Sequence, residues 1–372
     1  MNALSFLVAV MTAVVLMLDP LFCIAVQGRE PVVTDLGIPS AEDYADDALS
    51  RSPWDMIFFE GRLYVGGGDY GANTGPVKIW AYDPEAGEWT DSGSVPDEEA
   101  DRFAVIGGRL ALAGTDPTDG WEYGNYYVHD GEGWRVERVL PDGIHNFDLR
   151  EYDGMLFAAL GVPSGKYPVV CSTDGGRTFS FVPFERDGEL LCTSETAVLR
   201  VYDLIEGADG LYVMLRMDEI SSYGLYKYDG GRFVFVDELK GRLSGRVFTN
   251  RPMPAREYVD GKVYFTVGRL YSTVDFGEIN EVELSEGGQV ADLYLCGGRL
   301  YALSGNERAD GSYSASVWVK EREGDEFFRL CELECGGMPL SLAVDGSEFY
   351  IGVGGMNENP VNGSVMKISL LG

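Results

Sequence analysis

Four aspartates recur at one position of a repeating pattern: Trp54-Asp55-Met56, Phe147-Asp148-Leu149, Tyr202-Asp203-Leu204 and Ala291-Asp292-Leu293. Each lies a short strand's length before a turn glycine, and Arg102 and Ala255-Arg256 hold the same register in two further units. Carboxylates converging from several strands supply the hard oxygen ligands that Ca2+ takes, so Asp55, Asp148, Asp203 and Asp292 are candidate metal ligands. With Arg102 and Arg256 between them they could equally bind a polar ligand. Repetition also suits a structural use, in which each Asp accepts neighbouring backbone hydrogen bonds or pairs with those arginines. A second set lies in the loops: Asp69, Tyr70, Asp116, Asp119, Trp121, Tyr123, Tyr167, Asp218, Glu219, Tyr223, Asn306, Glu307, Tyr313, Asn357 and Glu358. Rings stack on the apolar faces of sugars while acids and amides take their hydroxyls, so this mixture points to carbohydrate. Asp69, Asp116, Trp121, Tyr123 and Tyr167 lead that set.

Other chemistries lack their residues. His129 and His145 are the only histidines, too few for a copper oxidase. No G-x-S-x-G supports acyl transfer, no Cys/His spacing suits zinc, and the Gly doublets sit in hairpins rather than opening a helix around a phosphate. A net charge of −31 over 372 residues excludes nucleic acid as the main partner, since phosphates would be repelled over most of the surface. Apolar residues make up 45%, so the chain can bury a core despite that charge.

Leu4 to Leu18 is an apolar run with the length of a signal-peptide core, and Val26 and Gly28 place small residues before a cut at Arg29. The expectation is a signal peptide over 1–28, secretion and no membrane insertion afterwards. A retained N-terminal anchor is the competing reading, because Met1-Asn2-Ala3 carries no basic residue. Cys171, Cys192, Cys296, Cys331 and Cys335 then remain, either as two disulfides with one thiol over or as buried free thiols.

The elements that position these residues come from the glycines. Gly61, Gly108, Gly154, Gly210, Gly261, Gly298 and Gly346 each sit between two alternating apolar runs, at a mean spacing of about 47.5 residues. A Gly turn between such runs is a hairpin signal, and four short strands every 40–50 residues are the arithmetic of a propeller blade. A later strand of most units carries a large aromatic, Trp89, Trp134, Phe179, Phe233 or Phe327-Phe328, sized to fill the space between blades. The pattern predicts an all-β, seven-bladed β-propeller of four-stranded antiparallel blades over 52–372. The last unit ends one strand short, and Arg29 to Ile38 could complete it, with an acidic linker through residue 51 leading into the first blade.

Arg62 to Gly93 resembles a kelch repeat, with Gly66-Gly67 closing a strand and Tyr82-Asp83 and Trp89 at kelch-like spacing. Ser172-Thr173-Asp174-Gly175-Gly176-Arg177-Thr178-Phe179 is similar to the Asp-box turn of sialidases and related propellers, and Tyr228 to Phe233 is a worn version. In that family the Asp-box lies away from the active site, so the resemblance implies fold rather than catalysis. Two functions follow as expectations. The first is a secreted, non-catalytic monomer binding a glycan or an extracellular protein through its loop face. The second is a sialidase-like glycoside hydrolase or lyase using channel-mouth carboxylates, although the FRIP-type motif of sialidases is absent.

Overall fold

A computed structural model describes residues 31–370 except 119–122, 142, 144, 164, 192–198, 218–221, 238–254, 286–287, 321–323, 325 and 356–357. The expected signal peptide, Asp119, Trp121, Cys192, Asp218, Glu219 and Asn357 lie outside the described residues, as do the side chains of Tyr123 and Tyr223. Among the described residues no helix is long and apolar enough to cross a membrane.

Strand β1 (Val32–Asp35) leads into a ring of antiparallel sheets. Sheet I holds β2 (Met56–Phe59), β3 (Arg62–Val65), β4 (Val77–Asp83) and β5 (Glu88–Val95). Sheet II holds β6 (Phe103–Ile106), β7 (Arg109–Ala113), β8 (Tyr123–His129) and β9 (Trp134–Pro141). Sheet III contains β10 (His145–Tyr152), β11 (Met155–Val162), β12 (Val169–Ser172), β13 (Ser180–Phe181), β14 (Phe184–Arg186) and β15 (Glu189–Leu190). It continues through β16 (Leu199–Gly207), β17 (Gly210–Met217), β18 (Ser222–Tyr228) and β19 (Phe233–Asp237). Sheet IV holds β20 (Arg256–Val259), β21 (Lys262–Thr266), β22 (Leu270–Thr273) and β23 (Ile279–Val282). Sheet V holds β24 (Gln289–Cys296), β25 (Arg299–Glu307), β26 (Tyr313–Lys320) and β27 (Phe327–Cys335). Sheet VI joins β28 (Met338–Asp345), β29 (Glu348–Gly354) and β30 (Ser364–Ser369) to β1.

The ring closes through apolar clusters packed between neighbouring sheets. Ile79 and Leu112 fill the interface of sheets I and II, Tyr126 and Phe157 that of II and III, and Met214 and Phe265 that of III and IV. Leu270 and Trp318 lie between IV and V, Val317 and Ile351 between V and VI, and Tyr82 and Tyr350 between VI and I. Second strands such as Met155–Val162 are buried on both faces, which is why they read as unbroken apolar runs rather than alternating ones. The chain is therefore an all-β propeller, but its blade count differs from expectation. Five four-stranded antiparallel sheets stand as separate blades among the described residues, not seven.

The units anchored on Gly154 and Gly210 account for the difference, because they share one ten-stranded sheet. The ends of β11 and β16 run far enough to pair, Gly161 with Arg200 and Val162 with Leu199. A short insertion adds the β14–β15 hairpin, whose first strand lies parallel to β19, Phe184 against Phe233. Hydrogen bonds thus cross the space that separates blades elsewhere.

Most of the turn glycines lie where the sequence places them. Glu60 and Gly61 both take positive φ, 47° and 79°, the conformation a two-residue hairpin of this twist needs. Gly210 is the exception: it pairs with Gly207, so the turn is Ala208-Asp209, one residue earlier.

Sheet VI closes as read from Arg29 to Ile38. β1 pairs antiparallel with β30, Val32 opposite Ser369 and Asp35 opposite Met366. Beyond it, Leu36 and Gly37 exchange backbone hydrogen bonds with Val365. The Trp89 indole N–H then donates to Leu36 O at 2.8 Å, tying sheet I to the incoming chain. Trp89→Phe keeps an apolar ring and removes that bond. It is expected to cost about 1 kcal/mol in a urea melt and to speed protease cleavage between Leu36 and Ser50; an unchanged cleavage rate would remove Trp89 from the closure.

Candidate functional site

The innermost strands start on one face of the ring, around a cavity of about 460 Å3 lined by three of the repeated-register aspartates, Asp55, Asp148 and Asp292, and by Arg102 and Arg256. Asp148 and Asp292 sit at β-bulges of β10 and β24, where the extra residue re-aims the side chain along the ring. The Asp55 carboxylate accepts the N–H of Met56 at 2.8 Å and, across the blade boundary, that of Phe103 at 2.6 Å. Asp148 takes Leu149 N–H at 2.9 Å and Leu204 N–H at 2.7 Å. Asp292 takes Leu293 N–H at 2.8 Å and Leu342 N–H at 2.7 Å. One device is used three times: one oxygen holds the following N–H of its own strand, the other holds the next inner strand.

Asp203 does something else. Its carboxylate lies 2.5 Å from Arg102 Nη1 and 3.2 Å from Arg256 Nη1, while Arg256 Nη2 pairs with Asp148. Arg102 Nη1 also lies 3.8 Å from Asp148, and Arg256 Nε donates to Leu204 O at 3.1 Å. Two guanidiniums and two carboxylates therefore form a buried knot from sheets II, III and IV. Burial alone would raise the Asp148 pKa, but Arg256, Arg102, Arg150 and the Leu204 N–H hold it below the usual carboxylate range. Burial works against the Arg102 charge, yet Asp203 and Asp148 hold its pKa above the ordinary value.

Asp55 and Asp292 face the same cavity with less help. Burial pushes Asp55 up to about 7, against the Phe103 N–H and the Arg102 charge. Burial and then the charge of Asp55 push Asp292 well above its ordinary value. Glu257, also on the cavity wall, is raised by burial. Among the described residues no group of three or more His, Cys, Asp or Glu is placed to hold a metal ion. The four aspartates are not a common cage: two are knotted to arginines, and two accept backbone N–H groups with both oxygens.

The described loop candidates do not converge on this cavity. Asp69 caps its own loop, accepting Gly71 N–H at 2.8 Å. The Asp116 N–H binds Asp97 at 2.8 Å, and its carboxylate lies 3.7 Å from His145 Nδ1 with its pKa raised chiefly by burial. Tyr167 stacks on Phe184 at 6.3 Å and donates to Leu191 O, so it belongs to the core. Tyr123 opens β8 opposite Pro141. Glu358 accepts Ala48 N–H at 2.9 Å, anchoring the acidic linker. The four described cysteines, Cys171, Cys296, Cys331 and Cys335, are free thiols.

Several cavity residues escaped the sequence reading. Arg150 and Tyr294 line it, each two residues beyond a register aspartate, so strict strand alternation from Asp148 and Asp292 would have named them. Tyr294 Oη accepts Phe58 N–H at 3.0 Å, one more tie across the ring. Away from the channel, Asp174 gathers the N–H groups of Arg177 and Thr178, each at 3.0 Å, and the hydroxyls of Ser172 and Thr178. Those donors hold its carboxyl well below the usual range.

No protein-family model matches the chain, and no curated protein matches it. Among solved structures, it is similar to a chain of a mitotic checkpoint complex, at TM-score 0.51 and 11% identity over 92% of both chains. It is similar also to YCF48 from Cyanidioschyzon merolae, at TM-score 0.51 and 11% identity, covering 91% of this chain and 98% of that one. At such identity the likeness speaks for architecture alone, and the architecture is that of the β-propellers.

Proposed function

We propose that this is an exported, non-catalytic propeller that holds a glycan or an extracellular protein on its loop face. The observation that carries this reading is the use made of the channel carboxylates. Hydrolysis by paired acids needs one oxygen free to protonate a leaving group and another free to attack or to activate water. Asp55, Asp148 and Asp292 instead have both oxygens on backbone N–H groups, and Asp203 is 1% exposed, does not line the cavity and gives one oxygen to two arginines. The 1–28 segment supports export. The kelch-like spacing of Arg62 to Gly93 and the Asp-box-like turn at Asp174 support kinship with propellers of those kinds.

The test is a glycan array probed with the full chain, followed by chromatography of each bound glycan after prolonged incubation. Binding without shortened products is the expected result. Release of shorter sugars or of an unsaturated end would overturn the non-catalytic reading.

A further inference from the structure

A second cavity, about 710 Å3, opens between sheets IV, V and VI on the face where the innermost strands start. Its wall carries Arg269, Tyr271, Gln289, Asn306, Glu307 and Tyr313. That volume falls within the ~300–1,000 Å3 of ordinary small-ligand sites. We propose that this groove is a binding subsite for a neutral oligosaccharide, an inference that rests on the loop-face binding reading above.

Three features argue for that ligand class. The wall combines the Tyr313 phenol with two primary amides and a carboxylate, the groups that stack on pyranose faces and exchange hydrogen bonds with hydroxyls. Phe265 stacks on Tyr271 at 5.5 Å within the cluster between sheets III and IV, which fixes that residue at the groove's edge. The groove's cation is occupied, since Arg269 pairs with Glu281 on the adjacent strand, and Glu307 is exposed beside it. An anionic sugar would meet that carboxylate and a chain of net charge −31.

The groove is also built to stay open. A Cβ at Gly305 would come within 2.5 Å of Pro339 Cγ, and one at Gly288, where φ is +104°, within 2.9 Å of Asn306 Oδ1. A side chain at either position would push against Pro339 or Asn306 on the groove wall, and the φ of Gly288 suits glycine in any case. The Val290 N–H donates to Gly268 O at 3.1 Å, bridging the β21–β22 loop to β24, so the walls are held before any ligand arrives.

The test uses the full chain and saturation-transfer NMR with cellotetraose, mannotetraose, chitotetraose and tetragalacturonate as probes. At least one neutral tetrasaccharide is expected to bind, and tetragalacturonate at least tenfold more weakly. Asn306→Ala, at an exposed position, should weaken the neutral sugar about tenfold at unchanged Tm, and Tyr313→Ala should weaken it as much with a lower Tm, since its ring also packs on the cluster between sheets V and VI. Equal binding by both variants would overturn the groove assignment while leaving the loop-face reading standing. Preference for tetragalacturonate, or no binding of any probe by the unaltered protein, would overturn the ligand class; the array would then still judge the broader reading by itself.

Discussion

Asp203→Ala is expected to destabilise the protein by about 3–5 kcal/mol, read as a fall in the urea midpoint at constant slope. Asp203 is 1% exposed and is the carboxylate that Arg102 and Arg256 share. Without it, two buried guanidiniums face the single charge of Asp148, and an uncompensated buried cation costs far more than an ion pair contributes. The companion experiment separates pairing from packing. Arg102→Met/Asp203→Leu removes one cation and one anion and leaves Arg256 with Asp148. The double variant should therefore be more stable than either single variant, with a coupling of about 2 kcal/mol. Additive costs would show that the knot is held by shape rather than by charge.

The register of the aspartates was legible because it depends on local rules: a turn that needs positive φ at Gly61, and the alternation that counts back from it to Asp55. Their role was not legible. Whether Asp55 takes a cation or the Phe103 N–H depends on how far the first sheet stands from the second, a distance set by Ile79 and Leu112 packing between them. Tyr167 misled for a related reason. In sequence it lies in a polar loop, but the β14–β15 insertion brings Phe184 over it and makes it core. The same insertion hid the ten-stranded sheet: the 56-residue spacing of Gly154 and Gly210 was visible, whereas the pairing of Val162 with Leu199 is a long-range contact with no local signature. The groove of sheets IV to VI was half legible. Asn306, Glu307 and Tyr313 stand in one loop of the sequence, while Arg269, Tyr271 and Gln289 join them only by tertiary packing.

Asp55→Asn should change how stability depends on pH, because Asp55 and Asp292 face one cavity with their pKa values raised. Burial pushes Asp55 up to about 7 in the folded chain, with Asp101 adding to it and the Phe103 N–H and Arg102 opposing it. A raised folded value means that the protonated acid stabilises the fold. Its contribution is complete below the unfolded value, near pH 4, and is lost as pH rises through about 7. Asp148 has the opposite sign: its lowered value contributes stability above pH 4 that is lost on further acidification. Asparagine cannot ionise, but it can accept only one of the Met56 and Phe103 N–H groups, a loss of about 1 kcal/mol. The variant should therefore be about 1 kcal/mol less stable than the parent at pH 5. By pH 8 it should equal or exceed the parent, a swing of about 2 kcal/mol after allowing for screening by channel water. Because the acidic surface alone makes the parent more stable toward neutral net charge, only the difference between the two melts isolates Asp55. A constant difference from pH 5 to pH 8 would mean that Asp55 stays ionised throughout, and that the two cavity aspartates are solvated well enough to carry both charges.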